Sequence, residues 1–555
     1  MKDFLNIIKK DKKFIFEAIA IFLIILFSYS IAPKILQNDT YYTIPIGNLI
    51  MENGIDMKDH FSWHEDLPYT YPHWLFDVGL SLVYKLGGWG AIYVLVCFLS
   101  ITLGLIIYAV NQNITKSKLI SFAITIGVMY LLKGYVAARA QLFTFIIYMI
   151  VIFCIEKFLE NPKRIQYGLG IIISSILIAN THSAVWPLLF IISLPYFAEE
   201  IIVFLADFII YKKLKLFVKK LLLKKYKNNK EKSKKITEQI NKIYLENQKI
   251  KKVRETEEPY KIKLKRNKNV KWLFIIIIIC AFTGLLTPLK DTPYTYLYKT
   301  LIGSTTKNIN EHLPLTLAND IPIMCTFIII IAILTFTKIK IRLSDLFMIG
   351  GLTYLTFSSK RQITMLALIG SLILNKMIVQ AIEIYTKEKI QNFEQKLINY
   401  LTVGIAIILV IGVSIDFIKE KKDIFYVSKS IYPVDASEWI LNNLDVNNIK
   451  LFNEYNYGSY LIFKGIPVFI DSRADLYTPE FNKTKGKAGR NVFMDFINVS
   501  GIDTFYENIF EKYGITHIIL YKNSRINMII NKADSEKYNE LYSDSYFVIY
   551  EIVKK

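Results

Sequence analysis

NDTYYTIPIGNLIMENGIDMKDHFSWHEDLPYTYPHWLFDVGLSLVYKLGG, residues Asn38 to Gly88, follows directly on the first long apolar segment of the chain. It holds the carboxylates Asp39, Asp56, Asp59, Glu65, Asp66 and Asp77, three of the chain's six histidines, and Trp63 and Trp74, with Trp89 just beyond. Charged and amphipathic side chains this dense beside a membrane span are costly unless they line a wet site at the bilayer surface. The stretch therefore reads as an outer loop and as the functional centre.

Around it the chain is apolar. Of 555 residues, 53% are hydrophobic and 14% aromatic, and the mean hydropathy is positive, which is too apolar for a soluble protein. The net charge of +21 is concentrated: residues 211–271 carry 23 Lys and Arg against 6 Glu, a net of +17. The +4 left for everything else excludes a general nucleic-acid surface. Cys97, Cys154, Cys280 and Cys325 lie in or beside apolar runs without paired or metal-like spacing and read as apolar filler. The start, MKDFLNIIKKDKKF before a long apolar run, is like a signal peptide, but no small-residue cleavage site follows, so it reads as a retained first span.

Eleven apolar runs approach the roughly 20 residues a span needs: 14–33, 89–110, 119–132, 142–158, 167–179, 185–210, 272–289, 321–336, 346–357, 363–384 and 401–417. With the basic N-terminus inside, strict alternation puts the Lys/Arg-rich connections 111–118, 160–164, 211–271, 338–342 and 386–396 all on the cytoplasmic side, as the positive-inside rule requires. Counting His73 to Gly87 as a twelfth span would invert every later loop and export the +17 block. It also carries Asp77 and Lys85, so an amphipathic helix in the outer interface fits it better. The run Thr40 to Met51, with Ile44, Leu49 and Ile50 to one side, reads as a second such helix.

Alternation leaves 34–88, 134–141, 180–183, 290–320, 358–362 and the tail from 418 outside, and with them all six histidines and the cations Arg139, Lys360 and Arg361 at span ends. Positive charge there runs against the orientation rule, which points to an anionic ligand on that face, with lipid headgroups or loop carboxylates as the plainer partners. The chain has no Walker motif, no G-x-G-x-x-G and no H-E-x-x-H. An outer-face reaction has no nucleotide sugar to use, and an activated lipid fits better. In sugar transfer from a polyprenyl phosphate, a carboxylate takes the acceptor proton while cations stabilise the departing phosphate. Asp39 suits the base, with N-capping of the Thr40 helix as its other reading, and Arg139 and Arg361 suit the phosphate.

At these residues the chain resembles the GT-C superfamily of membrane glycosyltransferases. Its bacterial members carry, in the first outer loop, Asp and aromatics, Gly, Asp-x-Phe-Ser-Trp, then His-Trp-Leu and an acidic residue. Here stand Asp39-Thr40-Tyr41-Tyr42, Gly47, Asp59-His60-Phe61-Ser62-Trp63 and His73-Trp74-Leu75-Phe76-Asp77. Arg139-Ala140-Gln141 is similar to the Arg-Pro-Gln/His element with proline replaced, Asn180-Thr181-His182 to Asn-x-His, Asn310-Glu311-His312 to Glu-Trp with tryptophan replaced, and Lys360-Arg361 to a late arginine. The resemblance implies a helical membrane bundle with two juxtamembrane helices in the first outer loop. It implies transfer of a sugar from a polyprenyl-phosphate-linked donor to an envelope glycan, lipid or protein. Asp39 and Asp59 are then the catalytic candidates, and His73, Arg139, Gln141, His182, Glu311, His312, Lys360 and Arg361 the substrate-binding ones. Some related families use a divalent metal, magnesium or manganese, and some do not; Asp39, Asp59 and Glu311 are the candidates, without tight ligand spacing. The rival readings are a glycan polymerase or transport-type membrane protein and a non-catalytic envelope scaffold.

The block 211–271, with Ile236, Ile240, Ile243, Ile250 and Val253 at helical spacing among lysines, reads as a cytoplasmic helical hairpin with a solvated basic face drawn to anionic lipids, protein docking being its other reading. After the membrane domain, 1–417, hydropathy falls. Helical readings over 433–444, 458–464 and 492–513, alternating with strand readings over 449–453, 467–471, 516–521 and 546–553, suggest an α/β domain over 418–555 on the outer side. Asp471, Arg473 and Asp475 follow an expected strand end, where parallel sheets bind ligands, and match a pattern in the tails of the resembling group. An Arg473–Asp475 structural pair is the other reading.

Overall fold

The computed structural model describes residues 2–256, 261–264, 266–398, 400–422, 424–484, 488–533 and 535–553. The chain is a helical membrane protein with a small C-terminal sheet, and each of the eleven apolar runs forms a helix. Six are long and apolar enough to cross a bilayer: Phe14–Ile31, Trp74–Thr115, Ala140–Glu160, Ser183–Ile210, Lys360–Thr386 and Leu401–Lys419. Leu119–Leu131, Ile165–Thr181, Val270–Thr283 and Ile321–Phe336 are shorter, and at about 1.5 Å per residue fall short of a hydrocarbon layer of about 30 Å. Val270–Thr283 ends earlier than the apolar run does because Gly284 and Pro288 follow.

Side-chain contacts gather the connections at two ends. At one, the Glu394 carboxylate accepts from Ser117 Oγ at 2.5 Å and from the Lys118 amide at 3.1 Å, Asn269 bonds the Leu159 carbonyl at 2.9 Å, and Ile262–Lys263 pairs in parallel with Ile341–Arg342. All the basic connections inferred from charge thus share that end. Nearby, Lys376 and Arg342 reach Glu156 at 3.2 and 3.6 Å, and Arg342 reaches Glu199 at 3.0 Å. At the other end, the Ser183 amide donates to the Pro72 carbonyl at 2.8 Å and the Lys360 amide to the Leu313 carbonyl at 2.8 Å.

Two helices lie in the first loop, Asn38–Asn53 and the opening of Trp74–Thr115. The long helix is broken at Gly87 and Gly88, and Gly88, with φ 58° and ψ −147°, takes a conformation that side chains other than hydrogen avoid. His73 to Leu86 is therefore set off from the span that follows, as its charges require. The two loop helices meet at Gly47, where a Cβ would stand 2.2 Å from the Asp77 carbonyl oxygen and 2.7 Å from Ser81 Cβ. Gly47→Ala is expected to destabilise the protein by about 1–3 kcal/mol through overpacking. An unchanged thermal midpoint would mean that this contact gives way.

In the tail the sheet order is Leu451–Phe452, His517–Tyr521, Phe547–Ile552, Tyr538–Ser543, with the first pair parallel and the other two antiparallel. The strand Tyr538–Ser543 and the helix Arg525–Ala533 are additions to the sequence reading, and 492–513 is two helices, Val492–Gly501 and Tyr506–Tyr513. The segment 467–471 is not a sheet strand: its one bridge joins Val468 to Ser62 of the first loop. The loop from Asp471 to Asp475 therefore does not follow the end of a parallel strand. Around that bridge Trp63 Nε1 bonds the Leu451 carbonyl at 2.9 Å and His64 Nε2 the Phe469 carbonyl at 2.8 Å. Tyr41, fully buried, meets Tyr432, Tyr460 and Trp89 with ring centroids 4.7, 5.1 and 5.3 Å away. Tyr41 and the segment from Ser62 to His64 thus pack against the tail.

Candidate functional site

Where the first loop, the neighbouring ends of the bundle and the tail meet, they enclose a cavity of about 1610 Å³. Its walls include Asp39, His73, Arg139, Gln141, His182, Glu311, His312 and Arg361, together with Arg473 and Asp475. Ten of the thirteen residues singled out in the sequence are thus brought to one space.

At its centre lies a chain of alternating charge. Arg139, in the turn before the helix Ala140–Glu160, pairs with Asp39 and with Glu311 at 3.2 Å, and Arg361 stands 3.9 Å from the other Glu311 oxygen. Arg361 also donates to Gln141 Oε1 at 3.3 Å, and Arg139 to Gln37 Oε1 at 3.4 Å. Burial pushes the Glu311 carboxyl up, but Arg139 and Arg361 outweigh it and hold it below its ordinary range. Burial, helped by Arg361, pushes His312 down to about 4, so that imidazole is neutral near pH 7. Asp39 stands in the first turn of the helix Asn38–Asn53, where the N-cap is Gln37 and makes no side-chain capping bond. The capping reading of Asp39 gives way to an ion pair.

Two wall histidines are held by neighbours. His73 Nδ1 lies 2.6 Å from Asp77 Oδ1, and its Nε2 lies 3.2 Å from the Tyr42 hydroxyl. The His182 Nδ1 lies 3.0 Å from the Thr144 hydroxyl. Asp475 accepts from Tyr296 at 2.7 Å and Thr305 at 3.0 Å, which ties the 290–320 loop to the tail.

Asp59, Asp471 and Lys360 do not line the cavity. Asp59, with no exposed side-chain surface, accepts from Arg473 at 2.6 Å and from the Ser62 hydroxyl at 2.5 Å. Burial would raise its carboxyl, but the Arg473 charge and the hydrogen bonds from Ser62 and Arg473 together lower it. Arg473 in turn bonds both Asp471 oxygens at 2.9 and 2.8 Å, and Tyr477 adds its hydroxyl to Asp471. The pairing is therefore Asp59–Arg473–Asp471 rather than Arg473–Asp475. Lys360 pairs with Asp320 at 3.3 Å. Among the described residues no three His, Cys, Asp or Glu are grouped to hold a metal ion. Asp39, Asp59 and Glu311 each sit against arginine, so this arrangement does not fit the divalent ion that the family resemblance allows.

Glu454 was invisible in the sequence. It lines the cavity, burial pushes its carboxyl up to about 7, and its Oε2 has no hydrogen-bond partner among the described residues. Nothing local marks it, since it follows a two-residue strand in an ordinary polar stretch.

A solved structure of Archaeoglobus fulgidus oligosaccharyltransferase in the apo form aligns with 97% of this chain and 74% of its own, with a TM-score of 0.52 and 11% identity. The chain has the GT-C fold. No family model and no curated protein matches its sequence. Within that GT-C fold, the motifs read from the first loop divide between the cavity wall, at Asp39 and His73, and the seam with the tail, at Asp59 to His64.

Proposed function

We propose that this protein is a membrane glycosyltransferase that moves a sugar from a polyprenyl-phosphate-linked donor to an envelope acceptor at the outer face of the plasma membrane. The observation that carries this reading is the Asp39–Arg139–Glu311–Arg361 chain inside one large cavity. At about 1610 Å³ the space exceeds the 300–1,000 Å³ or so of a single small-ligand pocket, which suits two substrates meeting. The donor phosphate is held by the guanidinium groups of Arg139 and Arg361, whose planar forks match its oxygens. Phosphate binding draws Arg139 from Asp39 and leaves that carboxylate unpaired beside the acceptor. The acceptor hydroxyl gives its proton to Asp39, its oxygen bonds to the anomeric carbon, and the bond from that carbon to the phosphate oxygen breaks. The electron pair leaves on the phosphate, where the two arginines stabilise the charge.

Donor binding tests the reading. Arg139→Ala and Arg361→Ala are each expected to remove about 1.5–3 kcal/mol of charge-assisted contact, roughly ten- to hundredfold in the dissociation constant of a polyprenyl-phosphate sugar. Unchanged affinity in both variants would sink the phosphate role. For sidedness, in a Cys325→Ser background, since Cys325 is exposed and the other cysteines are buried, Lys230→Cys is expected to resist an impermeant thiol reagent in intact cells while Lys483→Cys reacts. Labelling at both positions, or at neither, would overturn an inner basic block and an outer tail.

A further inference from the structure

The proposed reaction makes no use of the basic insertion. Its first helix, Lys213–Lys225, follows Leu188–Ile210 after a break at Lys212, whose φ of 47° and ψ of 37° turn the chain where the apolar helix ends. The sequence KLKLFVKKLLLKK carries six lysines and no carboxylate. Leu214, Phe217, Val218, Leu221 and Leu222 recur at the spacing of one helical face and are 58, 60, 46, 51 and 38% exposed. At about 3.6 residues per turn, Lys215 and Lys219 fall along one edge of this stripe and Lys213, Lys220 and Lys224 along the other, while Lys225 closes the stripe at its C-terminal end. The opposite side, Leu216 and Leu223, is half-buried. The second helix, Lys230–Thr256, packs against the first with Ile240 and Ile243 buried, and the base is clasped by the Lys212–Glu246 ion pair at 2.7 Å and by Asn247 on the Tyr211 carbonyl at 2.9 Å. The hairpin thus closes on itself and leaves the stripe uncovered.

An exposed apolar stripe with lysines on both edges is the surface of a helix that lies in a lipid interface, its lysine stems reaching up to the headgroups. Continuity with an apolar helix of membrane-spanning length favours lipid over a soluble partner, and the uniform positive charge favours anionic lipid. We propose that Lys213–Lys225 lies in the plane of the cytoplasmic leaflet, with the Leu214 to Leu222 stripe among the acyl chains and its lysines on anionic lipid phosphates.

The test uses the full chain with Cys325→Ser, in nanodiscs of phosphatidylcholine and phosphatidylglycerol. An environment-sensitive fluorophore is placed on Leu221→Cys or, as a control on the second helix, on Lys234→Cys. The label at position 221 is expected to shift to the blue and to lose emission when the lipids carry brominated acyl chains, and the label at 234 to do neither. The loss is expected to shrink without phosphatidylglycerol, or after Lys215, Lys219, Lys220 and Lys224 are changed to Gln. No quenching at 221 overturns the proposal, and so does equal quenching in neutral lipid, which removes the anionic contacts. A blue shift that grows with protein concentration without quenching would assign the stripe to a second copy of the chain and overturn the lipid reading.

Discussion

Asp39→Asn is expected to lower sugar transfer by about a hundredfold or more while the protein stays folded and binds donor. Asn keeps the size of the side chain and loses only its charge and its capacity to take a proton. The ion pair with Arg139 also goes, but both side chains are about one-fifth exposed, at 20 and 23%, and pairs near water contribute about 0–1 kcal/mol. Position 39 lies in the first helical turn, where a carboxylate adds about 0.3–1 kcal/mol through the helix dipole, so the thermal midpoint should fall only slightly. Arg139, freed of one carboxylate, should hold the donor phosphate at least as well. Turnover and donor affinity measured on the same preparation separate the outcomes. Full activity in Asp39→Asn would move the base to Glu311, and Glu311→Gln run in parallel checks that assignment.

Arg473→Ala is expected to produce the largest loss of stability, about 3–5 kcal/mol. The guanidinium is 2% exposed and its partners Asp59 and Asp471 not at all, so its removal leaves two carboxylates buried without a counter-charge. The tail would then part from the first loop, because Arg473 joins residues 414 positions apart. Arg473→Lys should recover only part of the loss, since an ammonium cannot form the planar fork that bonds both Asp471 oxygens. Chemical denaturation with limited proteolysis of the tail provides the measurement, and a variant as stable and protease-resistant as the parent would refute the seam. Asp59 belongs to this seam, so Asp59→Asn is expected to weaken the fold before it changes the chemistry.

The chain's sequence by itself determined what depends on short stretches. The length of apolar runs fixes where helices form, because a backbone in lipid must satisfy its own hydrogen bonds. The distribution of lysines groups the connections, and the charges of His73 to Gly87 mark a helix apart from the span, which the break at Gly88 carries out. The first-loop motifs announced the GT-C fold, and of the residues they named Asp39 and His73 line one cavity while Asp59 is buried in the seam with the tail.

Only the tertiary structure decided which of those residues meet. Asp39 lies in the first turn of one helix and Arg139 just before the start of another, and Glu311 reaches Arg361 from another loop. No local pattern encodes such pairs, because periodicity reports which side of an element is apolar and not what stands opposite. Asp39 and Asp59 look alike in sequence, yet one faces the cavity and the other is buried on Arg473. The stretch 467–471 reads as a strand by composition and makes its one bridge to Ser62 instead, since a short apolar segment pairs with whatever edge the rest of the fold presents. Glu454 acquires its high affinity for a proton from burial alone, and burial is a property of the assembled chain.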